Sequence, residues 1–392
     1  MKTVLANFKE GLGVKSEAER KYRALQKHLD TMPVGYPSTF SGVELRLLEA
    51  MFTTEEAEAA LNLSWRLETF AEIFRRAREK GHTEENLRKL LDSMERKGSI
   101  FTRVSEEEML YALHPIVVGM FEMQLKRLTP GMYLDMRDYI MKRFAMEYYA
   151  TKVRQMRVIP IHQSVTGQLA VAAYDDIREI VDRAKDRIMI AECICRVGKG
   201  LVGQPCRLTD RREVCMGFRD FHDIYMRNGW GRPISKKEAL NILDQNEKEG
   251  LILMPATMQE PQFVCSCCGC CCGMLSYQKH LPRPVDFWST SYHADVNVAS
   301  CVHCGACVSR CQVGAVGLTG PGGSAKIDLG RCIGCGLCVP TCPSGAMRLR
   351  KKDAGAIPSK DEEALCDEIM ANKKGTAGQL LVLMKAALKM KP

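Results

Sequence analysis

The sequence predicts a multidomain α+β chain, in which a helical first half leads into a small cysteine-rich α/β middle and then a compact, internally repeated module. Three observations carry that prediction. At 392 residues the chain is long, and single hydrophobic cores stop growing at about 250–300 residues. Apolar positions in the first half recur at helical spacing. All 19 cysteines fall at or after Cys193, nearly all of them in the cysteine-rich middle and the repeated module.

Composition narrows the function classes. A hydrophobic content of 46% suits a folded protein. Nineteen cysteines is an odd number, and disulfide scaffolds are usually much shorter chains, so metal binding is favoured over disulfides. The start, MKTVLANFKEGLG, carries no apolar run before a cleavage site, and no segment approaches the roughly 20 apolar residues of a membrane span. A reducing cytoplasm is the expected location. The formal charge of +9 invites a nucleic acid or an anionic surface. That count treats every cysteine as neutral, however, and metal-bound thiolates would cancel much of it.

Residues 1–40 read as a helical arm. From Ser41 the pattern is helical, with Thr53 and Glu56 at capping-box spacing. Leu87, Leu90, Leu91 and Met94 form an apolar stripe at i, i+3, i+4, i+7, and two short strands follow. Helices followed by a small β-ribbon resemble a winged helix-turn-helix domain, here residues 41–128. Such a domain sets the start of its second helix into the DNA major groove. In this sequence that start is Thr83, Glu84, Glu85, and the wing carries Glu106, Glu107 and Glu108. Carboxylates there repel phosphates. Arg88, Lys89, Arg96 and Lys97 point the other way, so DNA binding stays open beside docking or dimerisation.

A Met-rich connecting helix, 129–158, places Met132, Met136, Met141, Met146 and Met156 for core or interface packing. The α/β domain, 159–281, twice repeats a helix-then-strand order, the second time with Ser235 as N-cap and Gly250 as stop. Its first strand leads into Cys193, Cys195, Cys206 and Cys215 in a short irregular stretch, enough ligands for one iron-sulfur cubane, with zinc or plain thiols as alternatives. Gly198, Gly200 and Gly203 spell G-x-G-x-x-G, but Pro205 and Cys206 interrupt where a dinucleotide-binding helix would start. The glycines are expected instead to let the loop fold round a cluster, with Arg196, Lys199 and Arg207 offsetting its charge.

FVCSCCGCCCGML then packs Cys265, Cys267, Cys268, Cys270, Cys271 and Cys272 into eight positions. FVC suggests the end of a strand. A helix from Cys267 onward would put Cys267, Cys270 and Cys271 on one face and Cys268, Cys271 and Cys272 on the next. Six thiols exceed the needs of one cubane, leaving open a further cluster or redox-active thiols.

The strongest signal follows. CVHCGACVSRCQVGAVGL from Cys301 and CIGCGLCVPTCPSGAMRL from Cys332 agree at nine of eighteen positions, 31 residues apart. Each has the C-x2-C-x2-C-x3-C spacing that wraps three corners of a cubane and sends its fourth cysteine to the neighbouring cluster. Residues 295–350, within a domain spanning 282–352, resemble the bacterial two-cluster ferredoxins. The resemblance implies one [4Fe-4S] cluster on Cys301, Cys304, Cys307 and Cys342, and another on Cys332, Cys335, Cys338 and Cys311. The family's proline after the fourth cysteine is kept as Pro343 and replaced by Gln312 in the first copy. TGPGGSAK reads as a hairpin tip, and His303 as a residue that tunes a cluster. Residues 353–392 read as a linker and a C-terminal amphipathic helix.

As a whole the chain resembles modular iron-sulfur proteins of anaerobic microbes. That resemblance implies an electron-relaying subunit of an oxidoreductase, with a redox partner such as a flavoprotein or larger oxidoreductase, and a complex or homodimer as its assembly. Arg310, Lys326, Arg331, Arg348 and Arg350 against Asp328 suggest a basic rim for an acidic partner. A redox-sensing DNA-binding regulator and an oxidoreductase working through the Cys265–Cys272 thiols are the alternatives.

Overall fold

A computed structural model describes residues 16–384 apart from 152, 166–168, 170, 279, 282, 354–356, 376–377, 380 and 382–383. Most of the expected C-terminal helix lies outside the described residues. The chain forms two compact units, one ending at Met123 and one beginning at Gln124.

The first unit opens with α1 (Glu17–Asp30), α2 (Val43–Met51) and α3 (Thr54–Ala60). Thr53 and Glu56 close the expected capping box on α3. A two-residue strand, β1 (Glu68–Thr69), leads into α4 (Phe70–Glu79) and α5 (Glu84–Lys97). Then come β2 (Phe101–Val104) and β3 (Met109–Ala112), in an antiparallel sheet of order β1-β3-β2. On α5 the stripe residues Leu87, Leu91 and Met94 are fully buried. Residues 17–30, read from sequence as part of an arm, bury Tyr22, Leu25 and Leu29.

The second unit begins with α6 (Pro130–Tyr139), which runs through a wide turn at Ile140–Phe144 into α7 (Ala145–Ala150). Thr129 caps it and Pro130 occupies its first turn, where a missing N–H costs nothing. Met132, Met136 and Met156 are buried, whereas Met141 is exposed. After α8 (Ile177–Arg183) the chain alternates: β4 (Ile188–Glu192), α9 (Ile194–Leu201), β5 (Glu213–Phe218), α10 (Arg219–Asn228), β6 (Arg232–Pro233), α11 (Lys236–Glu249), β7 (Ile252–Pro255) and β8 (Phe263–Cys267). The strands form one sheet of order β6-β4-β5-β8-β7 in which every pairing is antiparallel. Ser235 caps α11 and Gly250 ends it at φ +84°.

Because strand side chains alternate faces, Cys265 and Cys267 share one face of β8 while Ser266 points to the other. There the Asn246 side-chain amide of α11 donates to the Ser266 hydroxyl at 2.9 Å. The helix therefore covers the Ser266 face of the sheet and leaves Cys215, Cys265 and Cys267 on the opposite one.

The remainder holds α12 (Gly273–Gln278), β9 (Tyr292–Val296), α13 (Ala306–Arg310), β10 (Val316–Leu318), β11 (Ala325–Ile327), β12 (Met347–Lys351) and α14 (Glu362–Ala371). β10 pairs with β11 and β9 with β12, both antiparallel, so TGPGGSAK is the tip of a hairpin. α14 falls where the sequence reads as a linker; Asp361 caps it by accepting from Ala364 N–H at 2.9 Å. Among the described residues no helix is long and apolar enough to cross a membrane.

Candidate metal centres

Ten thiols gather about β5, β8 and the turn after β8, in two sets that differ from the sequence order. Cys206, from the loop after α9, joins Cys268, Cys270 and Cys271, and these four sulfurs all lie within 4.8 Å of one another. Cys206 Sγ stands 3.7 Å from Cys268 Sγ and 3.8 Å from Cys270 Sγ. Cys270 Sγ is 3.4 Å from Cys268 Sγ and 3.7 Å from Cys271 Sγ. The other set takes in Cys193, Cys195, Cys215, Cys265, Cys267 and Cys272. In it Cys215 faces Cys265 across the β5–β8 ladder. Within it Cys193 interacts with Cys195, Cys265 with Cys215 and Cys267, and Cys267 with Cys272.

Two local expectations are corrected. No helix begins at Cys267, because β8 pairs through that residue with Ile252, and α12 starts only at Gly273. A turn closes Cys268–Cys272, with the N–H groups of Cys271 and Cys272 donating to the Cys268 carbonyl at 3.3 and 3.1 Å. That turn, and not a helical face, brings Cys268, Cys270 and Cys271 together. The G-x-G-x-x-G stretch is likewise no irregular loop: α9 already runs through Gly198 and Gly200. Gly198 is glycine for packing, since a Cβ there would sit 2.1 Å from Tyr133 Cδ2. We expect Gly198→Ala to lower unfolding stability by about 1–3 kcal/mol through overpacking. A denaturant midpoint equal to wild type would show that the Tyr133 ring moves aside freely.

The centre has its own counter-charge. Arg196 on α9 is 4% exposed. Its guanidinium donates to Cys206 Sγ at 3.5 Å and to the Arg211 carbonyl at 3.2 Å. A second terminal nitrogen of Arg196 is buried with no partner among the described residues. Burial disfavours its charge, but Cys268, Cys193, Cys206 and Cys271 hold that charge in place. Lys199 donates to the Cys270 carbonyl at 2.6 Å, while Arg207 is exposed. The hydrogen bond from Cys271 and the nearby Arg196 hold the Cys268 thiol down to about 5. Cys195 does the same for Cys193, to about 7. Sequence reading missed two aromatic neighbours: the Tyr133 hydroxyl lies near Cys195, Cys271 and Cys193, and that of Tyr148 near Cys272 and Cys265. Near-helical tyrosine spacing was the visible signal, but which thiols they approach depends on tertiary packing.

In the repeated module, Cys301, Cys304, Cys307 and Cys342 line one cavity together with His303, Leu318 and Met347. His303 Nδ1 pairs with the Gly322 carbonyl at 2.7 Å, tying this loop to the hairpin tip. The second quartet is more enclosed. Burial pushes Cys335 up to about 12 and raises Cys332 and Cys338, and Cys311 lies within electrostatic reach of all three. Backbone N–H groups reach two of its sulfurs: Ala294 donates to Cys332 and Ala315 to Cys311, each at 3.2 Å. Both quartets thus present four soft donors suited to iron.

The basic rim is largely consumed internally. Arg348 and Arg350 both pair with Asp295, at 3.0 and 2.6 Å. Arg310 donates to the Glu247 and Lys248 carbonyls, and Arg331 to that of Val313. Lys326 remains exposed.

The 4Fe-4S dicluster domain family matches residues 300–346. That segment is of ferredoxin type, and with its clustered cysteines it supports at least one [4Fe-4S] cluster. No curated protein and no solved structure matches the chain.

Proposed function

We propose that this chain is an electron-relaying subunit of an anaerobic oxidoreductase complex. One [4Fe-4S] cluster would sit on Cys301, Cys304, Cys307 and Cys342 and another on Cys332, Cys335, Cys338 and Cys311, with the ten-thiol centre beyond them. When bound, such clusters supply one-electron transfer at potentials set by hydrogen bonding, charge and burial.

One contact carries the reading. The Gly269 N–H, between Cys268 and Cys270, donates to Gln312 Oε1 at 3.3 Å. Gln312 directly follows Cys311 and stands where the ferredoxin pattern has proline. Its amide therefore links a ligand of the inner quartet to the buried thiol turn, a link that proline could not make. Arg310 braces the same junction through the Glu247 carbonyl at 2.5 Å.

The residues divide the work along this line. Cys304 is exposed, and Val302 and Leu318 beside it are exposed apolar residues, a rim on which a partner redox protein would dock. At the inner quartet, the N–H donors to Cys332 and Cys311 withdraw electron density from the sulfurs and favour the reduced state. Lys352 and Arg310 lie within electrostatic reach of Cys332 and Cys335 and offset the added negative charge. A thiol-active oxidoreductase is less well supported at Cys265, Cys267 and Cys272, which neighbouring thiols and burial push up, away from the nucleophilic thiolate; within the run it would have to work through Cys268, the thiol held down.

For the first unit we propose a winged-helix-like docking or dimerisation module. Support comes from the order helix, strand, two helices and two strands, with β3 between β1 and β2. Against DNA, Arg88, Lys89 and Lys97 are taken up by Glu84, Glu85 and Glu56 at 2.6–2.8 Å, and Glu106, Glu107 and Glu108 are exposed on the wing.

The test is anaerobic iron and sulfide counting with EPR. Two clusters give about eight irons and as many sulfides, with two interacting paramagnets on reduction, and a third cubane gives about twelve. A chain with no reducible cluster after reconstitution would end the proposal.

A further inference from the structure

From the sulfur spacing we infer that Cys206, Cys268, Cys270 and Cys271 hold a single tetrahedral divalent ion, zinc or mononuclear iron, and not a cubane. This goes beyond the electron-relay reading and does not depend on it.

The argument is geometric. An ion with metal–sulfur bonds of about 2.3 Å and tetrahedral angles sets its thiolates about 3.8 Å apart. Four separations in this set, Cys206–Cys268, Cys206–Cys270, Cys268–Cys270 and Cys270–Cys271, are 3.7, 3.8, 3.4 and 3.7 Å, and all four sulfurs fall within 4.8 Å of one another. A [4Fe-4S] cluster binds each thiolate to a different iron at a different corner, so the sulfurs must stand well apart, with the inorganic core between them. The repeated module serves as an internal comparison. Among the described residues neither ferredoxin quartet forms a set this tight, whereas Cys301, Cys304, Cys307 and Cys342 enclose a cavity.

The surroundings suit such an ion. Four thiolates and a divalent cation leave two negative charges. Arg196, whose second terminal nitrogen is buried and unpartnered among the described residues, and Lys199, on the Cys270 carbonyl, supply two positive ones. The ligands come from the loop after α9 and the turn after β8, so the ion would pin those segments together. It would sit beside Gly269, where Gln312 of the ferredoxin segment attaches. Six thiols, Cys193, Cys195, Cys215, Cys265, Cys267 and Cys272, then remain for any third cubane.

Inorganic sulfide makes the test sharp, because cubanes carry iron and sulfide in equal number and a tetrathiolate ion carries none. In full-length protein purified anaerobically, iron plus zinc should exceed acid-labile sulfide by one per chain. The element in excess distinguishes zinc from iron. In Cys270→Ala and Cys206→Ala that single excess ion should be lost with sulfide unchanged. Equality of metal and sulfide in the wild type would overturn the inference even if the variants fail to fold. So would loss of about four irons and four sulfides together from either variant, or no loss of metal from both. The ferredoxin EPR signals report separately on the relay.

Discussion

Replacing Cys335 with alanine should collapse the interacting EPR spectrum of the reduced protein to that of one isolated cluster. Iron should fall by about one to four per chain, according to whether a three-iron remnant survives. The inner quartet is enclosed, and burial that pushes the Cys335 thiol up to about 12 also raises Cys332 and Cys338. Thiolates persist there only when iron replaces the proton. The outer quartet, with its exposed Cys304 and separate cavity, should keep its signal. The relay would then be cut between the partner-facing edge and the buried thiols, and stopped-flow reduction should show the outer cluster filling while the inner step is missing. An unchanged interacting spectrum would show that Cys335 is not a ligand.

What was legible in the sequence is what depends on short-range order. The 31-residue repeat, the hairpin tip, the Thr53 and Ser235 caps and the α5 stripe are all set by neighbours a few positions apart. The two thiol sets are not. Cys215 meets Cys265 only because β5 and β8 pair in one register, and Cys206 reaches Cys268 only because the loop after α9 returns over the turn after β8. Spacing within FVCSCCGCCCGML is compatible with a helix, and strand pairing to Ile252 at Cys267 decides against it. The basic rim misled for a related reason. Asp295, which neutralises Arg348 and Arg350, sits on β9, more than fifty residues earlier in sequence, and antiparallel pairing places it opposite. Gln312 was visible as a departure from the ferredoxin pattern, but its partner Gly269 was not.

The same non-local logic applies to Arg157 in the second unit. It is 3% exposed, and its guanidinium pairs with Asp175 at 3.0 Å while donating to the carbonyls of Ala256, Met258 and Tyr174. The strand-like segment that carries it joins three regions. Arg157 N–H donates to the Pro255 carbonyl on β7 of the cysteine-bearing sheet, Val158 N–H to the Ser289 carbonyl, and Ile161 N–H to the Cys335 carbonyl. Arg157→Ala should therefore lower unfolding stability by about 3–5 kcal/mol, the cost of leaving a buried charge unpaired. Where an isolated buried pair is replaced by apolar residues of like volume, stability often recovers. Here Arg157→Leu with Asp175→Leu should recover only part of the loss, because the Met258 and Tyr174 carbonyls still lose their guanidinium donor at about 1–3 kcal/mol each, whereas the Ala256 carbonyl keeps the Met258 N–H. Denaturant titrations followed by circular dichroism and by cluster absorbance check both points. Full recovery in the double variant would reduce Arg157 to a simple ion pair. Partial recovery, with the cluster band bleaching at lower denaturant than the backbone signal, would mean that this arginine holds the inner quartet's loop against the sheet that bears the thiols.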